Sequence, residues 1–256
     1  MRNILRQRLI DKEFCLGTIV SIPSPETAEL LALCGFDWLF IDMEHGAFDV
    51  VSLQRILQAV AGRAPCLVRV PALDEAWIKK SLDSGADGII VPHICSAAEA
   101  QKAVRYCKYP PVGSRSVGLA RAQGYGTAFA SYLSQANAEI SVVLQIEDID
   151  AVSRIEEIVR VAGIDCLFVG PYDLSASMDM TGRVQDPKVV EAITTVRRCA
   201  SAANIPLGIF VTTVEEAPAH IDAGYTLIAV GVDLMLLSGA AQRIIETLKG
   251  KIPVSK

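Results

Sequence analysis

The chain has 256 residues, 51% of them hydrophobic and 21% charged, which is ample for a sizeable core. Its net charge is −5 and it carries no long basic run or basic face, which argues against nucleic acid as a partner. No stretch of about 18 uncharged apolar residues occurs, so no membrane span is expected.

The chain opens on MRNILRQRLIDKEF, too charged and interrupted for a secretory signal. It reads as a short amphipathic helix with Ile4, Leu5 and Leu9 on one face. Eight short apolar runs follow, separated by helical patterns such as SPETAELLALCGF and DEAWIKKSLDSGA. The first four are CLGTIVS (15–21), DWLFID (37–42), CLVRVP (66–71) and GIIVP (88–92). SVVLQIE (141–147), DCLFVG (165–170), LGIFV (207–211) and LIAVG (227–231) complete the set. Nearly continuous apolar character is expected of parallel strands buried on both faces. Four of the runs are announced by a glycine, one residue, then Asp or Thr: Gly35 to Asp37, Gly85 to Asp87, Gly163 to Asp165 and Gly224 to Thr226. Each glycine supplies the left-handed residue that stops a helix.

This alternation predicts one (β/α)8 TIM barrel spanning residues 1–256. No GxGxxG follows the first strand, which weakens a dinucleotide-binding reading. The connection between strands four and five is long, roughly 50 residues including YPPVGSRSVGLARAQGYGTAFASYLSQAN. Such an excursion is expected at the catalytic mouth. The seven cysteines are scattered without a CxxC pair, which predicts reduced thiols and a cytoplasmic protein.

In a barrel the active site lies at the C-terminal strand ends. Standing there are Asp42, Glu44 and His45, then Arg69, then His93, then Gln145 and Glu147, then Gly170, Pro171, Tyr172 and Asp173. Glu147 and Asp173 come from adjacent strand ends and suit a hard divalent cation, or are two solvated loop acids. Arg69 interrupts an apolar strand, so it binds an oxyanion or pairs structurally with Asp42 or Glu44. His45 beside acids would make a general base near neutral pH, with His93 as second choice. His220, on an outer helix, is given no role. By geometry alone Asp83, at a helix end on the opposite side of strand four, is a capping or surface acid. No lysine stands at these strand ends, which counts against Schiff-base chemistry.

The stretches GFDWLFIDMEHGAFD, VRVP, YPPVGSRSVGLARAQGYG, LQIED and VGPYDLSASM together resemble the class II pyruvate aldolases of the HpcH/HpaI aldolase and citrate lyase family. The likeness runs in unbroken order from about Leu16 to Leu248. It implies a phosphoenolpyruvate/pyruvate-type barrel that forms a homo-hexamer, a trimer of dimers exchanging the last helix. It implies metal-dependent cleavage or condensation of 4-hydroxy-2-oxo acids, through a pyruvate enolate and an aldehyde, with Mg²⁺, Mn²⁺ or Co²⁺ and no organic cofactor. By the same resemblance Glu147 and Asp173 are the metal ligands, and Arg69 stabilises the enolate oxygen. His45 belongs to the catalytic base, acting through a water, and Asp83 orients it from a neighbouring subunit. Gln145 lies near the bound pyruvate, and Gly170, Pro171 and Tyr172 form the turn whose amides receive its carboxylate. Tyr172, Ile19 and the Gly118–Arg121 loop depart from the family prototype on the aldehyde side. The alternative keeps the enolate but draws it from oxaloacetate, as a decarboxylase or a citrate-synthase-like enzyme, with Arg115 and Arg121 serving an acidic acceptor. A barrel that only binds is a third reading, against which the intact set His45, Arg69, Glu147 and Asp173 argues.

Overall fold

The computed structural model describes residues 4–249. Helix α1 (Ile4–Ile10) precedes strand β1 (Cys15–Val20), followed by α2 (Pro25–Leu33), β2 (Trp38–Asp42), α3 (Val50–Val60) and β3 (Cys66–Arg69). Then come α4 (Glu75–Asp83), β4 (Gly88–Val91), α5 (Ala97–Cys107), a 3₁₀ segment (Arg121–Gly126), α6 (Phe129–Glu139) and β5 (Ser141–Ile146). The chain continues through α7 (Ile149–Ser153), α8 (Ile155–Ile158), β6 (Cys166–Val169), α9 (Pro171–Ser177), α10 (Pro187–Ala202) and β7 (Leu207–Val211). It ends in α11 (Ala217–Asp222), β8 (Leu227–Val232) and α12 (Asp233–Lys249). All eight predicted strands are present, every neighbouring pair is parallel, and β8 pairs with β1 to close the barrel. Among the described residues no helix is long and apolar enough to cross a membrane.

The period-two pleat sorts each strand into two faces. Leu39, Ile41, Val68, Ile89, Val142 and Leu144 face outward into the layer shared with the helices. Trp38, Phe40, Leu67, Ile90, Val143 and Phe168 face inward and fill the barrel. The rings of Trp38, Phe40 and Phe168 lie 5.7–6.3 Å apart. Glycines opposite make room for them: a Cβ on Gly17 would lie 2.5 Å from Trp38, and one on Gly208 would lie 2.4 Å from Phe168. Leu5 and Leu9 of α1 are fully buried and join this inner cluster at the barrel's N-terminal end. The side chain of Ile4, expected on the same face, lies outside the described residues.

The repeated phrase has two physical parts. Gly35, Gly85, Gly163 and Gly224 all take positive φ, between +90° and +98°, as helix stops. The aspartates do something glycine spacing does not predict. Asp37 accepts the N–H of Leu16, Asp87 that of Cys66 and Asp165 that of Val142, each at 2.8 Å. Each acid thus satisfies the amide at the start of the preceding strand, stitching β1 to β2, β3 to β4 and β5 to β6. Thr226 departs from this pattern, its hydroxyl being buried without a partner.

The long excursion after α5 is not at the mouth. Arg121 donates to the carbonyls of Ser84 (2.8 Å) and Leu57 (2.9 Å), and Arg115 pairs with Asp83 at 2.6 Å. Ser84 and Asp83 close α4, which runs down the barrel, so these bonds fasten the excursion over its N-terminal end. The expectation of a mouth loop is corrected for a local reason. An excursion that follows a descending helix starts at the barrel's bottom, and two arginines hold it there.

Helix α12 leaves the barrel with only Asp233 buried, accepting the amides of Ser21 and Ile22 at 2.8–3.0 Å. Leu234, Leu237, Ile244, Ile245 and Leu248 are all more than half exposed.

Asp165→Ala would leave the Val142 amide buried without an acceptor. It is expected to lower the unfolding free energy by about 1–3 kcal/mol, read from urea midpoints. An unchanged midpoint would mean that this stitch contributes nothing.

Candidate active site at the barrel mouth

The same pleat that fills the barrel delivers polar groups to its upper end. Following Trp38 and Phe40 inward comes Asp42, following Leu67 comes Arg69, following Val143 come Gln145 and Glu147, and following Phe168 comes Gly170. Asp42 and Arg69 are direct neighbours in the β2–β3 register. Above the floor of Phe40, Phe168 and Phe210 lies a cavity of about 380 Å³. His45, Arg69, Gln145, Gly170, Pro171, Tyr172 and Asp173 line it, so seven predicted site residues meet at one opening.

Arg69 is buried and makes a fork with Asp42, Nε to Oδ1 at 2.9 Å and Nη2 to Oδ2 at 2.8 Å. Its Nε also lies 3.2 Å from Glu44 Oε2, and its guanidinium stands 5.1 Å over the Phe40 ring. Burial alone would lower its pKa, but Asp42, Glu44 and Glu147 outweigh that and raise it. The structural pairing considered from sequence therefore exists, and the guanidinium still borders the cavity.

Glu147 is 2% exposed. Its Oε1 accepts the backbone N–H of His93 at 2.9 Å, and Gln145 donates its amide to Oε2. Burial pushes the Glu147 carboxyl above its ordinary value, and the charges of Asp173 and Glu44 push the same way. The side-chain oxygen of Gln145 is buried without a partner. A Cβ on Gly170 would come within 2.7 Å of Glu147 Oε2 and 3.0 Å of the Gln145 amide, so glycine keeps this cradle open.

Asp42, Glu44 and Glu147 all act on one guanidinium, and Asp173 adds its charge beside Glu147. That excess of negative charge, with a buried carboxyl whose ionisation is disfavoured, fits a hard cation held by oxygen. Among the described residues no three His, Cys, Asp or Glu side chains converge as a ready metal cage. A cation on Glu147 and Asp173 would therefore keep positions for water and for substrate oxygens.

His45 is held loosely. Its side chain is 67% exposed and its Nε2 lies 4.0 Å from Glu44 Oε2. Its backbone N–H donates to Asp42 at 3.3 Å, which fixes the turn rather than the ring. Asp83 is remote from this mouth, at the foot of α4 against the fully buried Arg115, which also stacks 4.5 Å from the Tyr109 ring. Arg115 and Arg121 are both tied into the lower end, so neither faces an acceptor at this mouth. Of the three departures on the aldehyde side, Ile19 and Tyr172 do line the cavity, while the Gly118–Arg121 loop sits on the excursion.

Glu44 and His93 contribute more than their sequence context indicates. Glu44 takes Arg69 on one oxygen and His93 Nε2 on the other, at 3.2 and 3.1 Å. The available signal was parity: Glu44 follows Phe40 and Asp42 at steps of two. Ser21, Phe210 and Val232 complete the lining, and nothing in their local sequence marks them. A second cavity of about 340 Å³ lies between α10 and α11 and shares the wall of Pro171, Tyr172 and Phe210. Its polar groups already serve the fold, Glu216 on the Thr212 amide and His220 against the Tyr225 ring.

Comparison with known proteins agrees with this architecture. The profile of the HpcH/HpaI aldolase/citrate lyase family matches residues 17–240. A hydroxypyruvate/pyruvate aldolase of Paraburkholderia phytofirmans is 39% identical, covering 96% of this chain and 98% of its own. A solved structure of an HpcH/HpaI aldolase/citrate lyase family protein from Burkholderia cenocepacia superimposes with a TM-score of 0.93 at 36% identity, covering 96% and 99% of the two chains. The solved structure of the citrate synthase SbnG has a TM-score of 0.88 at 28% identity, covering 96% and 98%.

Arg69→Met would leave Asp42 and Glu44 without their counter-charge in largely buried positions. It is expected to cost about 3–5 kcal/mol of stability in urea unfolding. A loss below about 1 kcal/mol would show that water replaces the guanidinium at no great cost.

Proposed function

The chain belongs to the HpcH/HpaI aldolase/citrate lyase family and is an enzyme of its carbon–carbon lyase kind, and from that premise we propose that it cleaves and forms 4-hydroxy-2-oxo acids with a divalent cation, by way of pyruvate and an aldehyde. The observation that carries this reading is the meeting of a buried guanidinium with the Glu147 and Asp173 carboxylates at one barrel mouth.

In this reading Glu147 and Asp173 hold the cation, and their oxygens accept Mg²⁺, Mn²⁺ or Co²⁺ alike. A cation held there would supply positive charge to offset the negative charge that develops when pyruvate loses a methyl proton. Arg69 spends Nε and Nη2 on carboxylates and turns its remaining N–H groups to the developing enolate oxygen. Because Asp42 and Glu44 fix the fork beforehand, little reorganisation accompanies the reaction. His45 receives the methyl proton, directly or through water, and returns one in the reverse direction. Its exposed ring is oriented by Asp83 of a neighbouring subunit, which Arg115 holds in place. Gln145 borders the bound pyruvate from inside the barrel. The pyruvate carboxylate sits at the turn of Gly170, Pro171 and Tyr172. The Gly170 amide is already bonded to Ile146 and proline has none, so the free donors are the amides of Tyr172 and Asp173. Tyr172 and Ile19 shape the aldehyde half. The exposed apolar face of α12 supports a homo-hexamer, a trimer of dimers exchanging this helix. Seven unpaired thiols, five of them buried, support a cytoplasmic setting.

A second reading draws the enolate from oxaloacetate by decarboxylation or condensation. The similarity to a citrate synthase favours it, and the same residues would serve.

The test is proton exchange at the pyruvate methyl in D₂O, followed by NMR. Exchange is expected with Mg²⁺ or Mn²⁺ and is expected to stop on chelation. Its absence with every metal would remove the pyruvate reading and leave oxaloacetate decarboxylation to be assayed. His45→Ala should slow this exchange more than it weakens Mn²⁺ binding, and Glu147→Ala should do the reverse. Replacing Leu237 and Ile244 by aspartate should shift the assembly to smaller species in sedimentation. A wild-type monomer would overturn the proposed assembly.

A further inference from the structure

His93 is the one mouth histidine whose contacts are all set, and the pyruvate chemistry above gives it no task. It follows β4 in the left-handed region, with φ at +54°. A β-carbon is disfavoured there, and such residues persist where their surroundings over-determine them. What surrounds His93 is acidic. Its backbone N–H donates to Glu147 Oε1 at 2.9 Å, and its Nδ1 lies 3.3 Å from that same oxygen. Its Nε2 lies 3.1 Å from Glu44 Oε1. Glu44 in turn meets Arg69, and Arg69 forks onto Asp42. An unbroken line of contacts therefore runs Glu147, His93, Glu44, Arg69, Asp42 across the ends of β5, β4, β2 and β3.

We infer that His93 is a positioning residue that holds the Glu147 carboxylate in its cation-binding orientation and ties it, through Glu44, to Arg69. This rests on the reading of Glu147 as a metal ligand. Two observations separate the role from that of a base. Both ring nitrogens face carboxylate oxygens, so neither is turned to substrate. His45, by contrast, lines the mouth cavity with Arg69 and Asp173, and its Nε2 comes no nearer than 4.0 Å to Glu44. Groups that orient metal ligands without touching the metal characteristically change affinity tenfold or more when removed. The link through Glu44 adds that the cation's carboxylate and the enolate's guanidinium are joined by one line of contacts rather than set independently.

The left-handed backbone makes the choice of variant important. His93→Gly removes the ring, suits φ at +54° and keeps the N–H that donates to Glu147. His93→Asn also tolerates this backbone and restores a side-chain donor. Free Mn²⁺ is titrated by electron paramagnetic resonance, and pyruvate methyl exchange is measured at saturating Mn²⁺. In His93→Gly the Mn²⁺ dissociation constant is expected to rise about tenfold or more, and the saturated exchange rate to fall by a smaller factor. His93→Asn is expected to recover part of the affinity. Unchanged Mn²⁺ affinity in folded His93→Gly would overturn the inference. Loss of exchange at saturating Mn²⁺ with affinity intact would overturn it too, by making His93 the base. A wild-type protein that binds no Mn²⁺ would instead remove the metal reading itself, before any variant is made.

Discussion

Arg69 stands 2.8–2.9 Å from both oxygens of Asp42 across the β2–β3 pair, with Glu44 closing on its Nε. A guanidinium in that position makes the rest of the mouth possible. Asp42 and Glu147 are buried and Glu44 nearly so, and desolvated acids without a compensating charge would take up a proton. Burial, with the charges of Asp173 and Glu44, still raises the Glu147 carboxyl above its ordinary value. The guanidinium meets Asp42 on both oxygens and Glu44 on one, while Glu147 and Asp173 add their charges without a bond to it. The fork is also geometric: two bonds to one carboxylate set the plane of the guanidinium, which a lysine could not do.

The two ends of the barrel divide the work. At the mouth the polar residues are close-set and mutually held, with Gly170 preserving space that any side chain would fill. At the foot, α1 plugs the inner cluster and three aspartates stitch paired strands together. The long excursion is fastened there as well, by arginines that a sequence reading places near an acidic acceptor. Asp83 links the ends of different subunits in the proposed assembly. Its partner Arg115 is wholly buried between Tyr109 and Tyr132, so an acid at the foot of one barrel is presented by a rigid mount.

Apart from the charged groups, the cavity has a second set of lining residues. Ile19, Tyr172, Phe210 and Val232 line the cavity as well, with Ser21 beside them. These positions carry no part in holding the guanidinium or the acidic pair. In the proposed reaction they are the positions that would shape the acceptor without disturbing the charged groups.

Much of this was determined by sequence alone. Eight apolar runs, four glycine stops and the alternation of strand with helix specify a barrel, because each rests on local preferences of the backbone. The step of two along a strand also says which polar residues point inward, so Asp42, Arg69, Gln145 and Glu147 could be assigned to the mouth from position. The tertiary structure decided the rest. Which acid takes the Arg69 fork depends on register between strands 27 residues apart in sequence. Where the long excursion settles depends on arginine bonds to helix ends far from it in the chain. That His93 bridges two carboxylates follows from a backbone turned left-handed at a single residue and from strands that only meet when the barrel closes. Local periodicity carries the direction of a side chain, and its partner is fixed only by the closed fold.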